Sequence, residues 1–378
     1  MLYLSPMQVS IWEKESFFAE RDLIIVGAGL CGLWCAHHLI IKNPTLKILI
    51  VDRGIIPSGA STRNAGFACF GSPTELLHDA EVMGAEQMWQ IAEMRYKGIQ
   101  KIKQHFSADD IDYEDCGGFE CLQNSKHDIE ALGERLLWLN AGLQAITGVK
   151  ETFVWANDKM KSFGLSGFDA MIENKLEGAL HSGKLVMALT KKIQSLGVDM
   201  LTGIDVHHYE ERDSTIILTT KQNISFTAKK ILVCSNAFTA QFLTDFHATP
   251  ARGQIVVTSP IKDLPLRGTF HFDEGFYYFR NIGNRLLLGG ARNKCFDAEA
   301  TTNFETTTII QEELEHFIKI HLLPSQPFDI EYRWSGIMGF TEDKQPMVKH
   351  ISDKVTAIVA CNGMGVALTP VIAEQLQL

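Results

Sequence analysis

Three glycines near the amino terminus have the spacing of a phosphate-binding turn. They form the pattern Gly27-x-Gly29-x-x-Gly32, which follows an apolar run at residues 23–26 and opens helix-like apolar spacing at residues 30–42. In such a turn the first glycine allows the bend, the second admits a diphosphate close to the backbone, and the third lets the helix pack on the sheet. The pattern therefore predicts a dinucleotide site at a helix amino terminus.

An acidic residue after the next apolar run extends this prediction. Asp52 lies at the end of that run, where a carboxylate accepts hydrogen bonds from ribose hydroxyls. The adjacent Arg53 offers an alternative, contact with the 2′-phosphate of NADP. These residues alone leave flavin and nicotinamide open, and a glycine-rich turn that binds nothing is the structural alternative.

Two other segments are suited to contact the same kind of ligand. Residues 58–67 form a loop of mostly small side chains, whose backbone can lie flat against a planar ring. Residues 361–366 contain two glycines and precede an apolar segment. Pro370 is expected in the first turn of a helix there, so a helix amino terminus is expected to face outward.

The composition is that of a soluble globular protein of two or three lobes. The 378 residues are 46% hydrophobic and 21% charged, and the formal net charge is −10. This acidic balance disfavours nucleic acid as a partner, because polynucleotide binders carry clustered positive charge. The 8 cysteines are too sparse for a disulfide scaffold and are expected to be reduced thiols.

The amino-terminal region predicts a cytoplasmic protein without a membrane anchor. Residues 1–20 contain three glutamates and lack a basic start followed by a continuous apolar stretch, so no secretion signal is expected. Residues 23–41 carry no formal charge. Their three glycines and the pair His37-His38 nevertheless favour a buried strand-helix-strand unit over a transmembrane segment.

Helix and strand patterns change along the chain. The strand-helix-strand start is followed by helical patterning at residues 74–106, 128–146 and 184–196, with an acidic loop at 109–115. Strand signals then dominate at residues 199–205, 216–218, 230–233, 254–258, 276–280 and 286–288, before a further helix at 307–320. This change predicts two architectures in one chain.

The chain resembles the D-amino acid oxidase and glycine oxidase family of FAD-dependent oxidoreductases over nearly its whole length. The motifs that carry the resemblance, in this order, are the fingerprint at residues 27–32, Gly59-Ala60-Ser61-x-Arg63-Asn64-x-Gly66, Leu180-His181-x-Gly183-Lys184, Val233-Cys234-Ser235-Asn236, Arg252-Gly253-Gln254, and Trp334-x-Gly336 followed by Thr341-x-Asp343-x-x-Pro346.

The resemblance implies an α/β fold with two discontinuous domains. A Rossmann-like FAD-binding domain would be assembled from three stretches, residues 1–90, 168–250 and 335–378. An α+β substrate domain with a mixed, largely antiparallel sheet would comprise residues 91–167 and 251–334.

It also implies extended, non-covalent FAD, with the ring under the carboxy-terminal glycine loop. Gly336 stands where the sarcosine oxidases have the cysteine that links their flavin. No metal is expected, since no His-Glu-x-x-His or paired Cys-x-x-Cys motif occurs. The expected cofactor residues are Gly27, Gly29, Leu30, Gly32, Asp52, Arg53, Ser61, Thr62, Arg63, Asn64, Ala65, Gly66, Val206, Ser235, Asn236, Gly336, Gly363, Met364, Gly365, Val366, Ala367 and Leu368.

Three residues define the expected substrate pocket. Tyr277 matches the family position whose tyrosine lines the pocket, with packing in the core as the alternative. Met338 stands where glycine oxidases carry an arginine that binds the substrate carboxylate, and a methionine cannot do so. Arg292 matches a position in the same pocket and is expected to bind an anion from the opposite wall. Its alternative is a salt bridge at the surface.

These observations predict oxidation of the carbon–nitrogen bond of a small amine or amino acid to an imine, with FAD reoxidised by O2 to give hydrogen peroxide. A flavin-dependent 2-hydroxy acid or amine dehydrogenase, passing electrons to a quinone or carrier, is the alternative. A nicotinamide-binding sensor without turnover is a second, and a tRNA-modifying flavoenzyme is a distant third given the negative charge. The oligomeric state stays open.

Overall fold

The computed structural model describes residues 9–243, 246, 248–359 and 361–377. The first eight residues of the expected FAD-binding stretch thus lie outside the described part. In chain order the strands are β1 (Arg21–Val26), β2 (Ile48–Asp52), β3 (Phe67–Ala68), β4 (Gly118–Leu122), β5 (Phe153–Trp155), β6 (Ala170–Asn174), β7 (Gly178–Ala179), β8 (Asp199–Thr202), β9 (Val206–Glu211), β10 (Ile216–Thr220), β11 (Ser225–Val233), β12 (Thr249–Thr258), β13 (Thr269–Phe272), β14 (Tyr277–Ile282), β15 (Arg285–Gly290), β16 (Ile330–Phe340), β17 (Met347–His350) and β18 (Val355–Val359).

The α-helices are α1 (Ile11–Glu15), α2 (Leu30–Lys42), α3 (Ala60–Arg63), α4 (Pro73–Met83), α5 (Ala85–His105), α6 (Ala108–Ile111), α7 (Ile129–Thr147), α8 (Asn157–Met160), α9 (Ser182–Ser195), α10 (Phe296–Glu299), α11 (Thr308–Phe317) and α12 (Gly365–Glu374). Short 3₁₀ turns cover Asn236–Gln241 and Arg292–Lys294, and a π turn at Ile318–Leu322 continues α11.

The first sheet has a parallel centre in the order β18-β11-β1-β2-β8. Val26 at the end of β1 pairs with Val51 in β2 and with Val233 in β11. The carboxyl ends of these strands therefore meet at one edge, which is where open parallel sheets bind ligands. The β9–β10 hairpin pairs with the first half of β11, and β17 pairs antiparallel with β18.

Both faces of the central strands are covered, which explains their continuous apolar sequence. Ile25 and Ile50 pack in the core that contains α2, α9 and α12. Ile24 and Leu49 face the other way, into a core shared with the β9–β10 hairpin. Within the described ranges no helix is both long and apolar enough to cross a membrane.

The second sheet has the order β16-β12-β15-β14-β13-β4-β6-β5. β13 and β4 run parallel, while the other neighbours are antiparallel. Phe270, Phe279 and Phe317 belong to the core between this sheet and α11. The predicted mixed, largely antiparallel sheet is confirmed.

The first sheet takes its strands from residues 21–52, 199–233 and 347–359, so the expected assembly from three stretches is confirmed. Some residues belong to a different sheet from the one that the expected domain boundaries give them. β6 belongs to the second sheet, because it pairs with β4, although residues 168–250 were assigned to the FAD-binding domain. β16 pairs along the whole of β12 and carries residues 335–340 into the second sheet.

Several local expectations need correction. The predicted helix at 74–106 is two helices, because Gly84 ends α4 with φ of +86°. Residues 109–115 are only partly a loop, since α6 occupies their start. Pro370 is not in the first turn of α12: the helix begins at Gly365, so Pro370 lies inside it. A helix amino terminus is nonetheless present at the expected loop.

α5 and α12 approach each other closely at a glycine. A Cβ atom placed on Gly98 would lie 1.7 Å from the carbonyl oxygen of Ala367 in the first turn of α12. Gly98 is buried in the middle of α5. In contrast, a Cβ atom on Gly133 in α7 would meet no atom within 4 Å. The position of the amino-terminal turn of α12 therefore depends on the absence of a side chain at Gly98.

We expect Gly98→Ala to lower the free energy of unfolding by about 1–3 kcal/mol, because the added methyl group overlaps the α12 backbone. Gly133→Ala is the matched control, since the same methyl group enters open space and should stabilise the helix by about 1 kcal/mol. Urea unfolding followed by circular dichroism measures both changes. Equal midpoints for the two variants would contradict the close approach of the helices.

Candidate active site

A continuous cavity of about 630 Å³ lies between the two sheets. At one end it is bordered by the carboxyl ends of β1, β2 and β11, and at the other by residues of β12, β14, β15 and β16. A volume of this size lies in the range of small-molecule and cofactor sites. The cavity therefore joins the predicted dinucleotide site to the expected substrate domain.

The glycine turn has the geometry that its spacing predicts. Gly27 has φ of +113°, and a Cβ atom there would lie 2.6 Å from the carbonyl oxygen of Cys234 at the end of β11. A Cβ atom on Gly32 would lie 2.0 Å from the carbonyl oxygen of Gly27. Gly29 lines the cavity. The turn thus exposes backbone at the amino terminus of α2, which suits a diphosphate.

Asp52 supports this turn and also lines the cavity. Its Oδ2 accepts a hydrogen bond of 2.9 Å from the N–H of Ala28, and its Oδ1 accepts one of 2.8 Å from the N–H of Gly54. The guanidinium of the exposed Arg53 lies 4.0 Å from the centre of the Phe238 ring. Phe238, in a 3₁₀ turn, is a wall residue that the sequence analysis missed.

The small-residue segment at residues 58–67, which contains α3, is fastened to β16. Arg63 donates a hydrogen bond of 2.9 Å to the carbonyl of Ser335, and the indole N–H of Trp334 donates one of 2.9 Å to the carbonyl of Arg63. The side-chain oxygen of Asn64 accepts a 2.8 Å bond from the N–H of Gly66. The polar side chains Arg63 and Asn64 therefore shape the backbone of this segment, and both residues also line the cavity.

The carboxy-terminal loop turns sharply into α12. Asn362 and Gly363 both have left-handed backbone conformations, with φ of 47° and 84°. Residues 363–367 line the cavity. The first N–H groups of a helix lack partners within it, and the helix dipole makes this end positive. The loop therefore offers a site for negative charge at a second position in the cavity.

The structure brings most of the predicted cofactor residues together. Those that line the cavity are Gly27, Gly29, Leu30, Asp52, Arg53, Ser61, Arg63, Asn64, Ala65, Val206, Ser235, Asn236, Gly336, Gly363, Met364, Gly365, Val366 and Ala367.

Gly32, Thr62, Gly66 and Leu368 do not line the cavity. Gly32 faces the Gly27 backbone, and a Cβ atom on Gly66 would lie 2.3 Å from the carbonyl oxygen of Leu180. The Thr62 hydroxyl donates to the carbonyl of Pro57 at 2.6 Å, and Leu368 is buried in the core. These residues hold the loops around the cavity.

Arg292 and Met338 both line the cavity. The guanidinium carbon of Arg292 is 4.7 Å from the centre of the Phe340 ring and 5.1 Å from that of Phe296. Phe340 and Met338 both line the cavity and lie two residues apart on β16. Within the described ranges Arg292 forms no ion pair. The expected surface salt bridge is therefore absent from this part of the chain.

Tyr277 lies away from the cavity. It is 2% exposed, its hydroxyl donates a 2.6 Å hydrogen bond to Glu313, and its ring stacks on Phe317. The next residue, Tyr278, lines the cavity instead. Successive side chains of a strand point to opposite faces, and β14 turns Tyr278 rather than Tyr277 inward.

A group of charged residues that no sequence motif indicates also lines the cavity. Arg95 forms an ion pair of 2.9 Å with Glu75, and Lys344 forms one of 2.7 Å with Asp79. Although burial acts to raise the pKa of Glu75, the positive charges of Arg95 and Lys344 hold it below its usual value. The two carboxylates of this group are therefore each paired with a positive charge.

His271 is also in the cavity wall. It is 7% exposed, and burial lowers the pKa of its imidazole, so the ring is neutral near pH 7. Its Nε2 atom is buried and has no hydrogen-bond partner among the described residues. A neutral imidazole with a free nitrogen is able to accept a proton or a hydrogen bond from a ligand.

The comparisons with known proteins agree with this geometry. The profile of the DAO family, FAD dependent oxidoreductase, matches residues 22–377. The chain belongs to this family. It is therefore a FAD-dependent oxidoreductase.

Individual relatives are distant. The probable oxidoreductase OrdL of Rhizobium meliloti is 22% identical over 364 residues, which are 92% of this chain and 80% of OrdL. Among solved structures, L-proline dehydrogenase from P. horikoshii superposes with a TM-score of 0.75 at 15% identity, covering 94% of this chain and 91% of that one. Glycine oxidase from Bacillus cereus gives a TM-score of 0.72 at 19% identity, with 94% and 93% covered. These structures show a shared fold.

The residues of this DAO-family chain fit FAD. At the first sheet, Gly27 and Gly29 leave bare backbone where a diphosphate must approach, and Asp52 lies beside them as a partner for a ribose. The amino terminus of α12 lies where negative charge on a reduced flavin ring would be stabilised. Gly336 offers no sulfur for a covalent link.

Two buried carboxyl groups support the segment that leads into α4 of the flavoenzyme. Glu177 accepts a 2.8 Å hydrogen bond from the N–H of Phe70, and Glu120 accepts a 3.0 Å bond from the N–H of Thr74. Burial raises the pKa of Glu177 to about 8 and that of Glu120 to about 7. α4 carries Glu75 into the cavity wall, so these two acids support the segment next to that wall.

Glu177 should make the folded state less stable as pH rises. Its raised native pKa means that the folded protein retains a proton which the unfolded chain loses above about pH 4.5, so stability is lost between that pH and about 8. In Glu177→Gln this loss is removed. From pH 5 to pH 9 we expect the variant to gain about 2–4 kcal/mol in free energy of unfolding relative to wild type.

Urea unfolding at several pH values measures this difference. Glu151→Gln is the control, because it makes the same replacement at an exposed glutamate. A Glu177→Gln difference that is independent of pH would show that the buried carboxyl does not bind the extra proton.

Proposed function

We propose that this flavoenzyme oxidises the carbon–nitrogen bond of a small amine or amino acid that carries an anionic group. The amine loses two electrons and two protons to become an imine, and O2 takes them up to become hydrogen peroxide. The names of two proteins with the same fold, L-proline dehydrogenase and glycine oxidase, support an amino acid-like substrate. The proposal is carried mainly by the environment of Arg292.

Arg292 is a cation in the cavity wall that forms no ion pair among the described residues; the carboxylate that acts on its pKa, Glu299, is paired with Arg252. Arg292 is half-buried and stacked on Phe340, and burial lowers its pKa, yet a guanidinium keeps its charge at neutral pH. A partly desolvated guanidinium gains most from a bidentate carboxylate. Because Met338 cannot bind a carboxylate and lies near Phe340, Arg292 would hold the anionic end of the substrate against the same wall.

The other wall residues would orient the reacting carbon. FAD, when bound, supplies the acceptor for the electron pair and hydrogen that leave this carbon. Residues 363–367 present the amino terminus of α12, which stabilises negative charge at the acceptor. Tyr278 and Met338 line the cavity and add apolar surface that would exclude water. A substrate bound at Arg292 would then be oriented for the reaction by non-covalent contacts alone.

His271 would hold the proton that the substrate amine must lose before oxidation. An ammonium group has no lone pair to assist loss of hydrogen from the adjacent carbon, so the amine must be neutral. His271 lines the cavity, and the Nε2 atom of its neutral ring has no hydrogen-bond partner among the described residues, so it would accept this proton once the ring turns the buried Nε2 towards the substrate. This assigns charge binding to Arg292 and proton transfer to His271.

The reaction class is tested with the purified flavoprotein and two matched panels, small amines and 2-hydroxy acids, each with and without a carboxylate. Bleaching of the flavin absorption under anaerobic conditions by carboxylated amines, followed by peroxide release in air, is the expected result. Bleaching only by hydroxy acids would overturn oxidation of a carbon–nitrogen bond. Bleaching by amines without peroxide would replace O2 by another acceptor.

Arg292→Met should raise KM for the carboxylated amine by about 10–100-fold, the value of one charge-assisted pair, with a smaller effect on kcat. KM for an amine without a carboxylate should change little. Arg212→Met is the control, since Arg212 is an exposed arginine outside the cavity lining. Equal KM changes for charged and uncharged amines would exclude Arg292 as the anion site.

His271→Gln should lower kcat/KM by about 100-fold near neutral pH, because glutamine cannot accept the amine proton. The deficit should shrink as pH approaches the pKa of the amine, since a neutral substrate needs no base. Kinetics from pH 6 to 10 on flavin-saturated protein measure this. A deficit that is constant across this range would assign His271 a structural role only.

A further inference from the structure

Three cysteines form a sulfur cluster beside the glycine turn. Cys31 and Cys35 lie one turn apart on α2, and Cys234 follows β11. Their Sγ atoms all lie within 4.8 Å of one another. The Sγ atoms of Cys31 and Cys234 are 3.7 Å apart. All three are free thiols in this structure.

Two of the three cysteines line the cavity. Cys31 and Cys234 are among the residues that line it, whereas Cys35 is fully buried behind them. A small oxidant that enters the cavity therefore meets the Cys31–Cys234 pair first. The backbones of the two elements are held together next to this pair, because the N–H of Cys234 donates a 2.8 Å hydrogen bond to the carbonyl of Val26.

The cluster is able to release a proton. Cys31 lies in the first turn of α2. Although a hydrogen bond with Cys234 acts to lower it, the hydrogen bond with Cys35 and burial raise the pKa of the Cys31 thiol, and hydrogen bonds with Cys31 and Cys35 raise that of Cys234. Hydrogen bonds from Cys234 and Cys31 lower the pKa of the Cys35 thiol to about 5. The negative charge therefore lies on Cys35, which is able to take a proton from the adjacent Cys31 or Cys234 and leave that sulfur as a thiolate. A thiolate is the form that reacts with peroxide.

A metal ion fits this cluster less well than a disulfide. Only three sulfurs come together within the described ranges, whereas a structural zinc site needs four ligands. Three thiolates with a divalent ion would leave a negative charge beside the glycine turn that receives the FAD diphosphate. A disulfide is neutral and adds no such repulsion.

We propose that Cys31 and Cys234 form a reversible disulfide when hydrogen peroxide reaches the cavity. One thiolate attacks a peroxide oxygen and breaks the O–O bond, which gives a sulfenic acid and, after protonation, water. The second thiolate then attacks that sulfur and displaces hydroxide, which is protonated to a second water. Two thiols are oxidised by two electrons, and one peroxide is reduced.

The bond would fasten the start of α2 to the end of β11. The sulfurs must approach from 3.7 Å to about 2.05 Å to form the bond. The link joins residues 203 positions apart in sequence, and a crosslink over so long a loop restricts the unfolded chain strongly. Oxidised protein should therefore resist unfolding more than reduced protein does.

The test uses the purified flavoprotein, treated with hydrogen peroxide, alkylated and digested with trypsin. Free thiols should fall from eight to six, and dithiothreitol should restore them. Because one tryptic peptide, residues 22–42, contains both Cys31 and Cys35, Cys35→Ala serves as the matched variant. It should still give the link to peptide 231–252, while Cys234→Ala and Cys31→Ala should each abolish it.

Unfolding gives a second measurement that does not depend on activity. The urea midpoint of wild type and of Cys35→Ala should rise after peroxide treatment and return after dithiothreitol, and that of Cys234→Ala should stay unchanged. A Cys31–Cys35 link, eight thiols surviving peroxide, or stoichiometric zinc or copper held by the cluster would each overturn the proposal. Since peroxide is added, the result stands apart from the proposed amine oxidation.

Discussion

The close approach of backbone to backbone at the end of β1 is the constraint on which the site depends. The carbonyl of Cys234 leaves no room for a side chain at Gly27, and the carbonyl of Gly27 leaves none at Gly32. These contacts fix the angle between β1 and α2, and so the direction in which the amino terminus of α2 points. The parallel register of β1, β2 and β11 places Asp52 beside that terminus.

The two ends of the cavity are lined by different kinds of chemical group. The phosphate end consists mainly of main-chain groups, with side chains such as Asp52 and Asn64 hydrogen-bonded to the loops that they shape. The substrate end consists of side chains from distant parts of the chain, among them Arg292, His271 and Tyr278. The bond between Arg63 and β16 ties the two ends together.

This difference explains what the sequence could predict. The glycine turn is local, so strand, turn, helix and acid could be recognised from their spacing, and the order of motifs pointed to the family and to FAD. The pocket depends on which strands pair and which face turns inward. One step along β14 separates the buried Tyr277 from Tyr278 in the cavity, and nothing local marks the free nitrogen of His271. The start of α12 also differs from the expectation, because proline favours the first turn of a helix, whereas Pro370 lies inside α12.

Binding of the cofactor diphosphate by main-chain N–H groups has a consequence for how the sequence can evolve. Every residue except proline offers the same N–H group, so most side chains around the diphosphate can be exchanged without loss of the contact, provided that a few glycines stay. Sequence drift is then limited by shape rather than by chemical identity. A family with such a cofactor site is able to keep its cofactor while the residues of its substrate pocket change. The relatives of this chain share its fold at low sequence identity, as this kind of divergence predicts.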